Sequence, residues 1–265
     1  MVFRWTVWGP NTRLFELASY SVGTFRNIFG SAARYVVCTD QPAAVTRLLD
    51  RNVDVIPMRE SVFDIPAKAP WRKWAPLVRI APGDTEIYVD SDVFLIGEPD
   101  ELREFASGHP GNRVLAMPES SPDRRMYGVF HERLPLNAPG MNSGLVGQQA
   151  GVDLTSELLQ QFEWWRDRVN GGPGMFHDEQ GAVAAVLSSY EAAGRLLLLP
   201  RTRYKIVSPG SNRDIKNLDG VCLIHATWPS HPGFAWFRSE ILQRAENPAR
   251  DPGSVPCPRS LAAGR

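Results

Sequence analysis

Residues Thr85–Leu102 read TEIYVDSDVFLIGEPDEL. Glu86–Val89 is a short run of the β-branched and aromatic type that forms strands. It ends in two aspartates, Asp90 and Asp92, separated only by Ser91. In extended backbone, residues two apart point to the same side, so the two carboxylates are expected to lie together. Carboxylates that close repel unless a cation sits between them. Oxygen ligands suit a hard divalent ion, Mn²⁺ or Mg²⁺. Such an ion can hold a diphosphate and neutralise charge on a leaving group. The competing reading is a solvated turn whose acids cap the next element. The apolar strand in front of the pair favours the metal reading.

The chain before this strand decides which edge of a sheet the aspartates occupy. Val2–Gly9 (VFRWTVWG) reads as a first strand. The apolar residues Leu14, Leu17, Ala18, Val22, Phe25, Ile28 and Phe29 then recur at helical spacing. Arg34–Asp40 is a second strand, and PAAVTRLLD a helix with Pro42 in its first turn. Val53–Met58 is a third strand, and Trp71–Ile80 reads as helical up to the Pro82-Gly83 break. This alternation predicts an α/β fold with a mainly parallel central sheet and helices on both faces. In such sheets ligands bind beyond the carboxyl ends of the strands, which is where Asp90 and Asp92 fall. Further on, RVLAMPE, MNSGLVGQ, GRLLLLP and GVCLIHA read as strands. DLTSELLQQFEWWRDRV, with Asp153 as cap, and DEQGAVAAVLSSY read as helices.

Composition narrows the function. The 265 residues carry 29 Lys plus Arg against 29 Asp plus Glu, so the electrostatic footprint of a nucleic-acid binder is missing. Cys38, Cys222 and Cys257 form no CxxC and no disulfide framework, which suits a reducing compartment. MVFRWTVWGP lacks the apolar core of a signal peptide, and no apolar run approaches the ~20 residues of a membrane span. The expectation is a cytoplasmic protein. Residues 1–246 are expected to form a single domain in two halves, 1–92 and 93–246. The Pro-, Gly- and Arg-rich residues 247–265 read as a flexible tail.

The order of short motifs is more specific than any one of them. Lys73, the DSD at 90–92, MNSGLV at 141–146, HDEQGAV at 177–183 and LIHATWPSHPGFAW at 223–236 follow one another. This order resembles the retaining GT-A glycosyltransferases of the glycogenin and lipopolysaccharide-glucosyltransferase type, carbohydrate-active family eight. The resemblance implies a GT-A fold and metal-dependent transfer of a hexose from a nucleotide sugar, UDP-linked, to a glycan or small-molecule acceptor with retention. It implies Asp90, Asp92 and His225 as ligands of Mn²⁺ or Mg²⁺, and Lys73 as a donor-binding residue. It places Ser91, Asn142 and Ser143 along the donor, and Asp178 or Glu179 with Gln180 at the transferred sugar. Trp8 and Asn11 follow the first strand, where the resembled enzymes seat the base; Asn11 reads equally well as a helix cap. The family's KPW lysine, which grips the diphosphate, has no counterpart in HPGFAW, and His231 is the nearest polar residue.

Two other readings belong beside this one. A haloacid-dehalogenase-type phosphatase would use Asp90 as nucleophile, but its motif belongs at a first strand and wants Thr or Val where Phe94 stands. A sugar-nucleotide- or glycan-binding module on the same fold would bind without turnover.

If His231 grips the departing diphosphate, its charge fades as pH rises past the ordinary imidazole value of ~6.5, itself raised by phosphate. Donor turnover is then expected to fall through the neutral range, and His231→Lys to flatten the fall. A pH–rate profile unchanged in His231→Lys, with His231→Ala equally active, would remove His231 from the site.

Overall fold

The structure, a computed structural model, describes residues 1–58, 70–74, 79–108, 111–121, 123–170, 172, 174–175, 177–207 and 218–227. Trp228, His231, Trp236 and residues 247–265 lie outside the described residues.

The amino-terminal half alternates as the sequence predicts: β1 (Val2–Val7), α1 (Thr12–Phe29), β2 (Arg34–Thr39), α2 (Pro42–Thr46), β3 (Asp54–Pro57) and β4 (Glu86–Val89). Asn11 caps α1, its side chain accepting from the Arg13 N–H at 3.2 Å. Gly30, at φ 55°, ends that helix and donates to the Arg26 carbonyl. Where a longer helix is expected, Pro70–Trp74 is a 3₁₀ helix. Three-residue spacing stacks Trp71 and Trp74 on one side, and both are buried.

The chain then runs through β5 (Val93–Leu95), α3 (Asp100–Ala106), β6 (Val114–Pro118), β7 (Met141–Gln148), α4 (Thr155–Val169), α5 (Asp178–Ala192), β8 (Leu196–Leu198), β9 (Tyr204–Val207) and β10 (Leu223–Ala226). Seven strands form one sheet in the order β3-β2-β1-β4-β7-β6-β8. β1 pairs in parallel with β2 and β4, and β6 with β8; β7 runs antiparallel to both its neighbours. The sheet is therefore mainly parallel, with one reversed strand. The order turns back at β1, since the chain moves outward to β3 and then returns to place β4 on the other side. Such a reversal opens a crevice at the carboxyl ends of the two strands, and Asp90 is the first residue beyond β4.

Both faces are covered, which is why β1, β4 and β6 are buried at every position rather than at alternate ones. Phe3, Trp5, Ile87, Val89 and Leu115 pack with Phe15, Val22 and Phe25 of α1 and with Leu102 and Phe105 of α3. On the other face Tyr88, Val114, Ala116 and Val146 pack with Trp71, Trp74, Phe162 and Trp165 and with α5. The alternation of Ile87 and Val89 against Tyr88 is the strand period of two.

A second sheet, in the order β5-β10-β9, is not legible as a sheet in the sequence. β5 is three residues long, below what a pattern can mark, and it pairs antiparallel with β10 from far along the chain. Its register sets His225 opposite Val93.

α5 lies close on the 3₁₀ segment Arg124–Glu132. A Cβ on Gly181 would fall inside contact distance of the Tyr127 carbonyl oxygen and 2.7 Å from the Phe130 Cβ. The obstacle is backbone, so it cannot rotate away. Gly181→Ala is expected to destabilise the fold by about 1–3 kcal/mol despite its better helix propensity. Denaturant unfolding checks this, and a variant as stable as the parent would show that the two helices separate easily.

Candidate metal centre and its surroundings

Asp90 and Asp92 lie on a turn, not in extended backbone. The Val93 N–H donates to the Asp90 carbonyl at 3.1 Å, and the chain enters β5 at Val93. The carboxylates converge because the turn is fastened on both sides. The Asp90 N–H donates to the Gly144 carbonyl of β7 at 2.8 Å, and the Asp92 carbonyl accepts from the Ala226 N–H of β10 at 2.8 Å. The second bond places His225 beside the pair. Its Nε2 lies 3.2 Å from an oxygen of Asp92 and 4.0 Å from one of Asp90. One ligand atom from each of Asp90, Asp92 and His225 lies within 4.8 Å of the others.

The donor chemistry fits a divalent cation. Two carboxylates and one imidazole are hard and borderline ligands. The imidazole is also oriented for the role. Asn142 donates through its Nδ2 to Glu119 at 3.0 Å and to Gln180 at 2.8 Å, so its Oδ1 is the acceptor. That Oδ1 accepts from the Gly144 N–H at 2.8 Å and lies 3.0 Å from the Nδ1 of His225. Nδ1 must therefore carry the proton, and a neutral ring presents its Nε2 lone pair to the two carboxylates. Without a cation this face of the ring attracts a proton. Burial depresses the His225 pKa, but Asp92 and Asp90 outweigh burial and raise it.

Lys73 reaches the same point from the 3₁₀ helix. Its buried ammonium donates to the Ser143 hydroxyl at 2.8 Å and lies 3.0 Å from Glu179 and 3.5 Å from Asp90. Burial works against its charge, and the Asp90 and Glu179 carboxylates more than compensate, so its pKa is raised. Asp90 is steadied further by the Tyr88 O–H, which donates to its Oδ1 at 2.9 Å.

Asp178 and Glu179 open α5 side by side and serve different surroundings. Asp178 accepts from the Val129 N–H at 2.8 Å, the Met175 N–H at 2.6 Å and the Trp165 indole at 2.8 Å. It is 1% exposed and ties the loop before α5 to the 3₁₀ segment. Gly128, at φ 51°, has no room for a Cβ against this carboxylate. Glu179 turns the other way, to Lys73, the Trp74 indole and the Ser143 hydroxyl at 3.1 Å. Its pKa is raised by burial, against the pull of Lys73. Of the two acids, Glu179 is the one brought to the Asp90 side.

Gln180 and Asn142 meet at Glu119, a residue the sequence reading did not single out. Its Oε2 accepts from Asn142 and from Gln180, each at 3.0 Å. Its Oε1 accepts from the Ser120 N–H at 2.7 Å and the Ser121 N–H at 3.1 Å. The available signal was the one that marked Asp90: an acid immediately after a buried strand, here β6. Trp8 and Asn11 sit beyond the carboxyl end of β1, one strand from Asp90. There the Gly9 N–H donates to both oxygens of Asp40 at 3.1 Å. Ser91 occupies the turn between the two aspartates.

An Asp-Asp-His group able to hold a divalent cation, at the switch point of a mainly parallel sheet with a small second sheet behind it, invites comparison with solved structures. The chain superposes on the galactosyltransferase LgtC in complex with donor and acceptor sugar analogues. The TM-score is 0.59 at 12% identity, over 95% of this chain and 98% of that one. The fold is GT-A. An active-site mutant of LgtC matches with a TM-score of 0.60 at 14% identity over the same shares. The bifunctional glycosyltransferase WbbM, in its apo form, matches with a TM-score of 0.54 at 15% identity, over 93% of this chain and 49% of that one. No protein-family model and no curated protein matches the chain. Among the described residues, no helix is long and apolar enough to cross a membrane. The GT-A architecture expected from the motif order is thus present, although the level of identity speaks to the fold alone.

The second residue of the MNSG motif's Ser-Gly pair has a steric reason here. A Cβ on Gly144 would lie 2.5 Å from Cε1 and 2.6 Å from Nδ1 of His225. Gly144→Ala is expected to push the imidazole off Asp90 and Asp92 and weaken Mn²⁺ binding at least ~10-fold. Calorimetric titration measures this, and parental affinity would show that His225 is not held at the pair.

Proposed function

We propose that the chain is a metal-dependent glycosyltransferase that moves a hexose from a UDP-linked donor to a glycan or small-molecule acceptor, with retention of anomeric configuration. The observation that carries the reading is the Asp90–Asp92–His225 group at the switch point of a GT-A sheet, with Lys73 and Glu179 within contact of it. Mn²⁺ or Mg²⁺ held there would neutralise the diphosphate of the donor.

The side chains supply the rest. Lys73 would contribute a permanent positive charge beside the diphosphate, kept charged by Asp90 and Glu179. Ser143 ties Lys73 to Glu179 and would fix both against the donor. Asn142, Gln180 and Glu179 form a polar wall for the transferred sugar, while Asp178 would act by holding α5 in place. Trp8 and Asn11 would flank the base, and His231 would meet the diphosphate. Retention and the UDP base rest on the motif resemblance. A cytoplasmic site of action and the division of residues 1–246 into donor and acceptor halves belong to the same proposal. The phosphatase alternative needs an available oxygen on Asp90. Here one oxygen accepts from Tyr88 and the other faces Lys73 and His225.

The test is a panel of UDP-hexoses followed by NMR without acceptor. Slow hydrolysis of one donor is expected, lost on chelation, with the anomer of the donor released first. Asp92→Asn keeps the volume and removes a charge, and should reduce both Mn²⁺–UDP affinity and turnover by at least ~100-fold. Equal Mn²⁺–UDP affinity in Asp92→Asn and the parent would overturn the metal assignment. Binding of a donor with no turnover would favour the binding-module reading.

A further inference from the structure

Glu119 is 2% exposed and lies one residue beyond β6, outside the group that would hold the cation. A buried carboxylate is costly unless its oxygens are satisfied. Its oxygens accept from the N–H and hydroxyl of Ser120, from the N–H of Ser121 and from two side-chain amides, Asn142 and Gln180. The consequence lies in what the amides can then do. A carboxylate accepts and cannot donate. Facing Glu119, both Asn142 and Gln180 must present their NH₂ groups. The NH₂ of Asn142 is shared between the Glu119 Oε2 and the Gln180 Oε1, so its Oδ1 must point away, to the Gly144 N–H and the His225 Nδ1.

We infer that Glu119 is a positioning residue for the metal centre: by accepting from Asn142 it fixes that amide's orientation, and through it the tautomer of His225 that leaves Nε2 free to face Asp90 and Asp92. The chain of bonds runs Glu119–Asn142–His225, with a single possible direction of donation at each link. If Glu119 could also donate, Asn142 could turn over, opposed then only by the Gly144 N–H that its Oδ1 accepts and by the Gln180 Oε1. Its NH₂ would then face Nδ1, the ring proton would move to Nε2, and the ligand lone pair would be lost. Glu119→Gln introduces that freedom at almost unchanged volume. Gln180 supports the same orientation of Asn142 from the other side, and its own NH₂ is held by Glu119 at 3.0 Å and by the Met126 carbonyl at 3.1 Å. One carboxylate thus sets two amides, one toward the cation and one toward the sugar wall.

This inference rests on the proposed metal centre, and its test separates the two. The first readout needs no metal: ¹⁵N NMR of the histidine rings in the metal-free protein, at a pH high enough to hold them neutral. Both arms carry Asp92→Ala, because a carboxylate 3.2 Å from Nε2 would otherwise draw the single ring proton there; in that background the protein with Glu119 intact is expected to show His225 protonated at Nδ1. Added Glu119→Gln should show the Nε2 form in a substantial fraction, with melting behaviour close to that of the Asp92→Ala protein. The second readout is Mn²⁺ affinity by calorimetry, expected to fall roughly 10–100-fold in Glu119→Gln. In an Asn142→Ala background the added Glu119→Gln change should cost little more, because the link it acts through is gone. An unchanged His225 tautomer in folded Glu119→Gln, or additive losses in the double variant, would overturn the inference. If Glu119→Gln does not fold, Glu119→Asp serves instead. Its withdrawn carboxylate should give a mixed tautomer population, and a parental spectrum overturns the inference. If the parent binds no cation, the metal centre fails while the ring spectra still decide the role of Glu119.

Discussion

Two backbone hydrogen bonds hold the centre of this protein together. The Asp90 N–H is bound to β7 and the Asp92 carbonyl to β10. The turn between them is therefore shared by the large sheet and the small one. Every other group around the turn takes its position from this junction. β10 delivers His225, β7 delivers Asn142 and Ser143, and α5 follows because Gln180 and Glu179 bond to those two residues. The junction also explains why β5 can be so short. Its task is to carry the chain from one sheet to the other within three residues.

Among the described residues, the carboxyl groups around the turn outnumber the cationic groups. Asp90, Asp92 and Glu179 face the Lys73 ammonium and the His225 imidazole. Lys73 can serve two of the carboxylates, since it lies between Asp90 and Glu179. Among the described residues Asp92 is paired with His225, and a neutral ring cannot compensate it. A divalent cation held there would relieve that imbalance and would take the Nε2 lone pair as a ligand. The same reasoning assigns Glu119 a different character. Its oxygens are met by N–H and O–H donors, so it can serve as a fixed acceptor.

Glycines set how closely these parts approach. Gly144 lets β7 pass against the His225 ring, and Gly128 lets the 3₁₀ segment close over the Asp178 carboxylate. In both cases the missing side chain makes room for a polar group of another element. In the sequence the first sits in the MNSG motif and reads as part of a donor-binding segment. Its steric reason appears only when β10 is in place.

The sequence by itself determined the alternating first half, the parallel arrangement it implies and the acids at the end of β4. These depend on local periodicity and on chain order, which a linear string records. The motif order added the GT-A expectation and pointed to His225. What only the tertiary structure decided was which groups meet. Asp178 and Glu179 are neighbours in the chain, but successive helical residues diverge by about 100°, so they face different surroundings. The packing of α5 on the 3₁₀ segment gave Asp178 to the indole and the backbone, and Glu179 to Lys73. The small sheet was hidden because its strands are short and its pairing joins residues far apart in sequence. Glu119 was hidden for a related reason. A lone acid at a strand end is common, and its meaning depends on the direction of the hydrogen bonds it accepts, which exist only once β6, β7 and α5 have come together.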